Sequence, residues 1–66
     1  MNLEAKIEAI LFWKGEPVSL KKLALWLGVA KEAVESALGA LEKKLTERGV
    51  ALLRKDDEVA LGTAPA

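Results

Sequence analysis

Few residues of this chain could do chemistry. Its 66 residues include no Cys and no His, which removes thiolate and imidazole nucleophiles, the common zinc ligands and the usual proton shuttle. Ser19 and the other hydroxyl residues therefore have no imidazole to activate them. The acidic run Asp56-Asp57-Glu58 could hold a hard cation, but further ligands are missing, and such a run is more often a solvated turn. We expect no catalysis, no cofactor and no metal site.

Composition narrows the class of protein. The 10 Lys and Arg balance the 10 Asp and Glu, so bulk electrostatics favours neither nucleic acid nor anionic lipid. A chain this short holds one core, and we predict a single domain over residues 1–66. No apolar run approaches the roughly 18 residues of a membrane span, and the amino end lacks the pattern of a secretory signal. We therefore expect a cytoplasmic protein without a membrane partner.

Three helices are predicted from capping residues and from apolar residues at helical spacing. The first helix begins after the N-cap Asn2 and ends at Gly15. The second begins after the N-cap Ser19 and ends at Gly28, in the left-handed conformation that Gly tolerates best. The third covers about residues 30–46.

The hydrophobic period changes from helical to alternating after Gly49, which we expect to stop the third helix. Residues 50–55 and 59–63 then predict a β-hairpin. Its turn contains no Gly, so a longer or bulged turn is expected rather than a tight one. Residues 62–66 are expected to fray. Three helices and a two-stranded wing predict a mainly α, α+β domain of the winged helix-turn-helix class.

The chain has more large apolar side chains than this small fold places inward. The periodic stripes direct the following residues to the core: Ile7, Ile10, Leu11, Leu20, Leu23, Leu27, Val34, Leu38, Leu41, Leu45, Val50, Leu52, Val59 and Leu61. Four more lie at ends or loops and could cover the rim: Met1, Leu3, Val18 and Val29. Phe12, Trp13, Leu25, Trp26 and Leu53 are left without an inward place.

The large apolar side chains without an inward place indicate a surface that binds another polypeptide. At about 100° per residue, two Ala and two aromatic residues share the face of the first helix opposite its core stripe. Leu53 and Ala60 likewise make the outward face of the hairpin apolar. The predicted interface consists of Ala5, Ala9, Phe12, Trp13, Leu25, Trp26 and Leu53. In the competing interpretation, the first helix is buried on two sides, which could absorb Phe12 but hardly both Trp residues.

Winged helix domains commonly place the third helix in the major groove of DNA. The outward positions near its start are Lys31, Glu32, Glu35, Ser36 and Gly39, and two of these are carboxylates that would face phosphates. Base readers carry Arg, Lys, Asn or Gln there. The alternative function, a DNA-binding transcription regulator, would use Lys21, Lys22, Lys31, Arg54 and Lys55 as phosphate contacts. We favour solvated charged faces, with direct nucleic-acid contact weak.

Several segments along nearly the whole chain resemble one protein family. They are Ile7-Glu8-Ala9-Ile10-Leu11-Phe12, Gly15-Glu16-Pro17-Val18-Ser19-Leu20, Leu23-Ala24, Leu27-Gly28-Val29, Arg48-Gly49-Val50 and Leu61-Gly62-Thr63-Ala64-Pro65. Together they resemble the amino-terminal winged helix domain of the segregation and condensation protein B family. The apolar helix that runs into G-E-P-V-S-L is the most specific part.

The resemblance implies a non-enzymatic accessory subunit of the bacterial SMC–kleisin condensin complex. Members of this family form homodimers and bind the kleisin subunit, segregation and condensation protein A, beside the SMC ATPase. The implied role is in chromosome condensation and segregation at the nucleoid. Because family members carry two winged helix domains, this chain resembles the first of the two.

Overall fold

The structure, a computed structural model, describes residues 2–63. Its elements are α1 (Leu3–Lys14), β1 (Val18–Ser19), α2 (Leu20–Leu27), α3 (Lys31–Lys44), β2 (Val50–Lys55) and β3 (Glu58–Thr63). The expectations for Met1 and for residues 64–66 lie outside the described residues. Gly62 and Thr63 belong to β3, so the prediction of a frayed end is wrong for these two.

The first two helices begin and end at the predicted capping residues. The Asn2 side chain accepts a hydrogen bond from the backbone N–H of Ala5 at 2.8 Å. The Ser19 hydroxyl accepts one from the backbone N–H of Lys22 at 3.0 Å. Gly15 and Gly28 close the two helices with φ of 66° and 67°, which an L side chain adopts only with strain. No helix within residues 2–63 combines the length and the apolar character needed to cross a membrane.

The third helix ends earlier than predicted. Its last residue is Lys44, and the chain continues in tight turns in which Thr46 and Arg48 each donate to a carbonyl three residues back. These turns keep Leu45 buried in the core. Gly49 has no left-handed φ and does not cap the helix, so its prediction as the helix stop is wrong.

The wing contains a third, very short strand. All three strands form one antiparallel sheet in the order β1-β3-β2, with Val18 opposite Val59 and Ser19 opposite Glu58. Val18 is therefore a buried core residue and not a rim residue in a loop. The prediction of a two-stranded wing missed β1 because two residues are too few to show an alternating pattern.

The hairpin turn is tighter than predicted. Lys55 pairs with Glu58, which leaves two residues, Asp56 and Asp57, to connect β2 with β3. Asp56 takes a φ of 54°, and Asp is among the few non-Gly residues that tolerate this region. The expectation of a longer or bulged turn is wrong because Asp56 adopts the positive φ for which we expected a Gly.

The core lies between the three helices and the inner face of the sheet. It consists of Ile7, Leu11, Val18, Leu20, Leu23, Val34, Ala37, Leu38, Leu41, Leu45 and Val59, with Leu3, Ile10, Ala24, Leu27, Val29, Leu52 and Leu61 partly buried against it. All residues predicted to be inward are found there except Val50, which is 38% exposed. Val50 pairs with Thr63 at the end of the hairpin farthest from its turn. The domain thus closes its core without the surplus apolar side chains.

Candidate protein interaction surface

The five large apolar side chains without a predicted inward place are all exposed. Phe12 is 81% exposed, Trp13 79% and Leu25 77%, while Leu53 and Trp26 are 53% and 49% exposed. The competing interpretation, in which the first helix is buried on two sides, is therefore wrong. Single exposed apolar residues are common, whereas a contiguous apolar patch is typical of a binding surface.

The outer face of α1 consists of Ala5, Ala9, Phe12 and Trp13, which share one side of the helix. Ala9 is exposed and Ala5 is half-buried. Phe12 also lines an open cleft of about 390 Å³ with Glu8 and residues of β2 and β3, including Val50. Val50 extends the apolar surface beyond the predicted residues. In the sequence, the only indication that Val50 is exposed is its position at the start of the strand, directly after Gly49.

Trp13 and Trp26 approach the same cation. The Lys14 ammonium lies 5.5 Å from the centre of the Trp13 ring and 5.6 Å from that of the Trp26 ring. Both distances suit a cation–π interaction, which joins the end of α1 to α2. Sequence reasoning missed Lys14, because nothing in the pattern places these two helices side by side at that point.

Leu25 lies in a different place, on a groove along α2. This α2 groove is lined by Ser19, Lys21, Lys22, Ala24, Leu25, Gly28, Val29 and Ala30. It has a volume of about 670 Å³ and is open to solvent. Leu25 and Trp26 are neighbours in the sequence but point about 100° apart around the helix, so Leu25 borders the groove while Trp26 turns toward Lys14.

Leu53 lies on the outer face of the wing, opposite Ala60 on the neighbouring strand. A Cβ atom at Gly62 would approach Leu53 Cδ1 to 2.5 Å, so the absence of a side chain at Gly62 lets Leu53 lie flat on the sheet. Leu53 also borders a small cleft with Pro17. The predicted interface residues therefore divide between the outer face of α1, the pair of Trp rings, the α2 groove and the wing.

The outward face of α3 is tied to the wing by two ion pairs. Lys31 Nζ lies 3.0 Å from Asp57 Oδ1, and Arg54 donates to Glu35 Oε1 at 3.0 Å. The hydrogen bond to Asp57 and its negative charge raise the pKa of the Lys31 ammonium above its ordinary 10.5. The side chains that would face DNA in the alternative function are thus engaged with one another.

Three of the five proposed phosphate contacts of a DNA-binding domain already face acidic residues. Lys31 and Arg54 pair with carboxylates, and Lys55 lies opposite Glu58 across the hairpin. Lys21 and Lys22 on α2 take part in none of the ion pairs of the described residues. Phosphate binding needs cations that the protein does not neutralise, and because the proposed contacts on α3 and the wing are engaged, the DNA-binding alternative is not favoured.

The surface of the described residues carries exposed apolar side chains and ion pairs. Between residues 2 and 63 there is no group of three or more His, Cys, Asp or Glu residues that could hold a metal ion. The buried side chains of this region are all apolar. What the surface can do chemically is bury apolar area against another chain and pair its charges with those of a partner.

Three comparisons with known proteins point to the same family. The family model for segregation and condensation complex subunit ScpB matches residues 5–66. The segregation and condensation protein B of Carboxydothermus hydrogenoformans is 40% identical over 67 residues, which cover 98% of this chain and 36% of that protein. A crystal structure of a dimer of the ScpB N-terminal domain complexed with ScpA peptide superposes with a TM-score of 0.85 at 28% identity, covering 92% of this chain and 79% of that chain.

Proposed function

This chain belongs to the segregation and condensation complex subunit ScpB family, and we propose that it acts as a non-enzymatic accessory subunit of the bacterial SMC–kleisin condensin complex. Its role is in chromosome condensation and segregation. The observation that carries the proposal is the exposure of Phe12, Trp13 and Leu25 on a domain whose core is already closed. Such a surface serves binding to other polypeptides.

The proposed partners are a second copy of this chain and the kleisin ScpA, through which the subunit reaches the SMC ATPase. The similar ScpB N-terminal domain is a dimer complexed with ScpA peptide, which supports both partners. The residues proposed to make these contacts are Ala5, Ala9, Phe12, Trp13, Leu25, Trp26 and Leu53. The two Ala residues allow the backbone of a partner to approach, and the large side chains act as anchors.

The chain spans 36% of the length of the Carboxydothermus relative. We propose that residues 1–66 form one winged helix domain that corresponds to the first of two in the family. The subunit is proposed to work in the cytoplasm at the nucleoid.

Light scattering of the chain at tens of micromolar tests self-association. We expect a mass of twice 7.1 kDa, and we expect Phe12→Asp and Trp13→Asp to shift the chain to the monomer because each places a charge in an apolar contact. Ser36→Asp is the matched control, since it adds the same charge to the exposed face of α3. A wild-type chain that is monomeric at these concentrations contradicts the proposed homodimer.

A salt titration against duplex DNA separates the accessory subunit from a transcription regulator. A regulator that uses Lys21, Lys22 and Lys55 would bind tightly at low salt and lose affinity steeply as salt rises. We expect little binding at physiological salt. Submicromolar, sequence-dependent binding under those conditions would contradict the proposed function.

A further inference from the structure

The α2 groove differs from the other apolar surfaces in its charge. Leu25 is 77% exposed on its border, and Ala24 and Val29 contribute further apolar wall. The only charged residues that line the groove are Lys21 and Lys22; among residues 2–63 no carboxylate lines it. The groove is therefore apolar along its length and positive at one end.

Helical geometry places these charges beside the exposed apolar side chains. Residues four apart lie on the same side of a helix, one turn from each other. Lys21 is thus one turn from Leu25, and Lys22 is one turn from Trp26. α2 has no acidic residue, and the ion pairs of the described residues involve neither Lys21 nor Lys22.

Lys22 is shared with an adjoining cleft, which Glu16 and Glu58 also line, so its charge is partly balanced there. Lys21 does not line that cleft. Its charge is therefore not balanced by Glu16 and Glu58, and the α2 groove is positive at this end. Among the described residues, Glu8 is the only charged residue that lines the cleft between Phe12 and Val50. The α2 groove and this cleft therefore differ in the sign of the charge along their walls.

We propose that the α2 groove binds an acidic amphipathic helix of a partner protein. A bulky aliphatic side chain of that helix packs beside Leu25, and carboxylates one turn away pair with Lys21 and Lys22, in the helix-in-groove manner. The identification of this helix as a segment of the kleisin rests on the proposed function. The cleft at Phe12 then stays available to a second copy of the chain.

Two designed peptides test the charge requirement directly. Both are helical, with Leu at positions i, i+4 and i+7; one has Glu at the flanking positions and the other has Lys. In titrations of the ¹⁵N-labelled chain, we expect the Glu peptide to bind at least about ten times more tightly and to shift amide signals of residues 19–30. Equal affinities, or shifts confined to α1 and the wing, would overturn the proposal.

Substitutions on the groove make the test specific to these residues. We expect Leu25→Asp to weaken the Glu peptide about tenfold or more, and the double change Lys21→Glu and Lys22→Glu to reverse the preference between the two peptides. Ser36→Asp, on the exposed face of α3 and away from the groove, is the control and should leave the affinity unchanged. All four positions are exposed, and circular dichroism verifies that each variant is folded. Equal losses in Leu25→Asp and Ser36→Asp would overturn the proposal.

Titration with purified ScpA tests the kleisin as the occupant of the groove separately from the groove itself. Binding of ScpA that Leu25→Asp weakens supports both the groove and the partner. ScpA binding that Leu25→Asp leaves unchanged overturns the assignment of the groove to the kleisin, while the proposed function stands. If the wild-type chain does not bind ScpA at all, the proposed kleisin contact fails, and the designed peptides still decide the groove. A dimer that Leu25→Asp turns into a monomer would make the groove the interface between copies and overturn the proposal.

Discussion

The first and third helices distribute their side chains in opposite ways. In α3, Val34, Leu38 and Leu41 are buried, and the opposite face is polar. In α1, Ile7 and Leu11 are buried on one face, while Phe12 and the other residues of its outer face make the second face apolar as well. α3 therefore has one apolar face, which the domain itself covers, and α1 has two.

This difference supports the proposal that the domain binds protein rather than DNA. The helix that would enter a major groove in a DNA-binding winged helix has its outward charges paired with the wing, through Glu35 and Lys31. The apolar surface lies instead on α1, on α2 and on the wing. The fold is shared with DNA readers, whereas the function follows from which helix face is left uncovered.

Truncating one side chain from each helix gives the largest expected effect. Leu38 in α3 is fully buried, and Leu38→Ala should lower the free energy of unfolding by about 2–5 kcal/mol, through lost burial and a cavity. A domain this small rarely has more than about 3–5 kcal/mol in total, so we expect this variant to be largely unfolded. Urea unfolding followed by circular dichroism measures the change.

The counterpart in α1 should behave differently. Because Phe12 is 81% exposed, Phe12→Ala should change the unfolding free energy of the monomer by no more than about 0.5 kcal/mol. It should reduce only the part of the stability that rises with chain concentration, since a dimer stabilises its folded subunits by mass action. Equal losses in the two variants at low concentration would show that Phe12 belongs to the core and remove the contrast between the helices.

Two Gly→Ala substitutions compare the backbone conformation at the end of α1 with that inside α3. Gly15 ends α1 with a φ of 66°, so Gly15→Ala should cost about 1–2 kcal/mol, the strain of a left-handed L residue. Gly39 lies inside α3 with open space around its Cα, and Gly39→Ala should stabilise the domain by about 0.5–1 kcal/mol. Thermal unfolding of both variants measures these changes of opposite sign. Stabilisation by Gly15→Ala would contradict the capping geometry at the end of α1.

Most of the helical part of the fold could be predicted from local signals. Asn2, Ser19, Gly15 and Gly28 act within three or four residues of their own positions, so the sequence pattern is sufficient to find them. β1 could not be found in this way, because its two residues become a strand only by pairing with β3.

The exposed surface was predictable by elimination and its arrangement was not. Phe12, Trp13 and Leu25 have no place on any core stripe, and counting was enough to predict their exposure. The separation of Leu53 from the helical surfaces, and the placement of Lys14 against both Trp rings, depend on how the elements pack. No periodicity along the chain contains that information.

The ion pair between Arg54 and Glu35 should make a smaller contribution. Both side chains are partly exposed, at 36% and 46%, so a double-mutant cycle with Arg54→Ala and Glu35→Ala should give a coupling energy of about 0.2–1 kcal/mol. Glu32 supplies the control, because the ion pairs found between residues 2 and 63 do not include it. Coupling of Arg54 to Glu32 as strong as that to Glu35 would show that the wing is not fixed against α3 in this way.

The smallest expected effect is the pH dependence contributed by Lys31 and Asp57. Asp57 raises the pKa of Lys31 in the folded state above its ordinary 10.5, so folding favours the protonated ammonium. The pair therefore stabilises the domain at pH values below the unfolded pKa, and this stabilisation disappears as the pH rises through the folded pKa. Asp57→Asn should remove most of this alkaline loss, because Asp57 is the main cause of the raised pKa of Lys31, and Glu35 and Glu32 contribute less. Asp56→Asn, which removes a neighbouring charge outside the ion pairs of the described region, should retain it. Unfolding measured from neutral pH to above pH 10.5 distinguishes the two variants, and identical curves would mean that Lys31 and Asp57 do not hold the wing turn against α3.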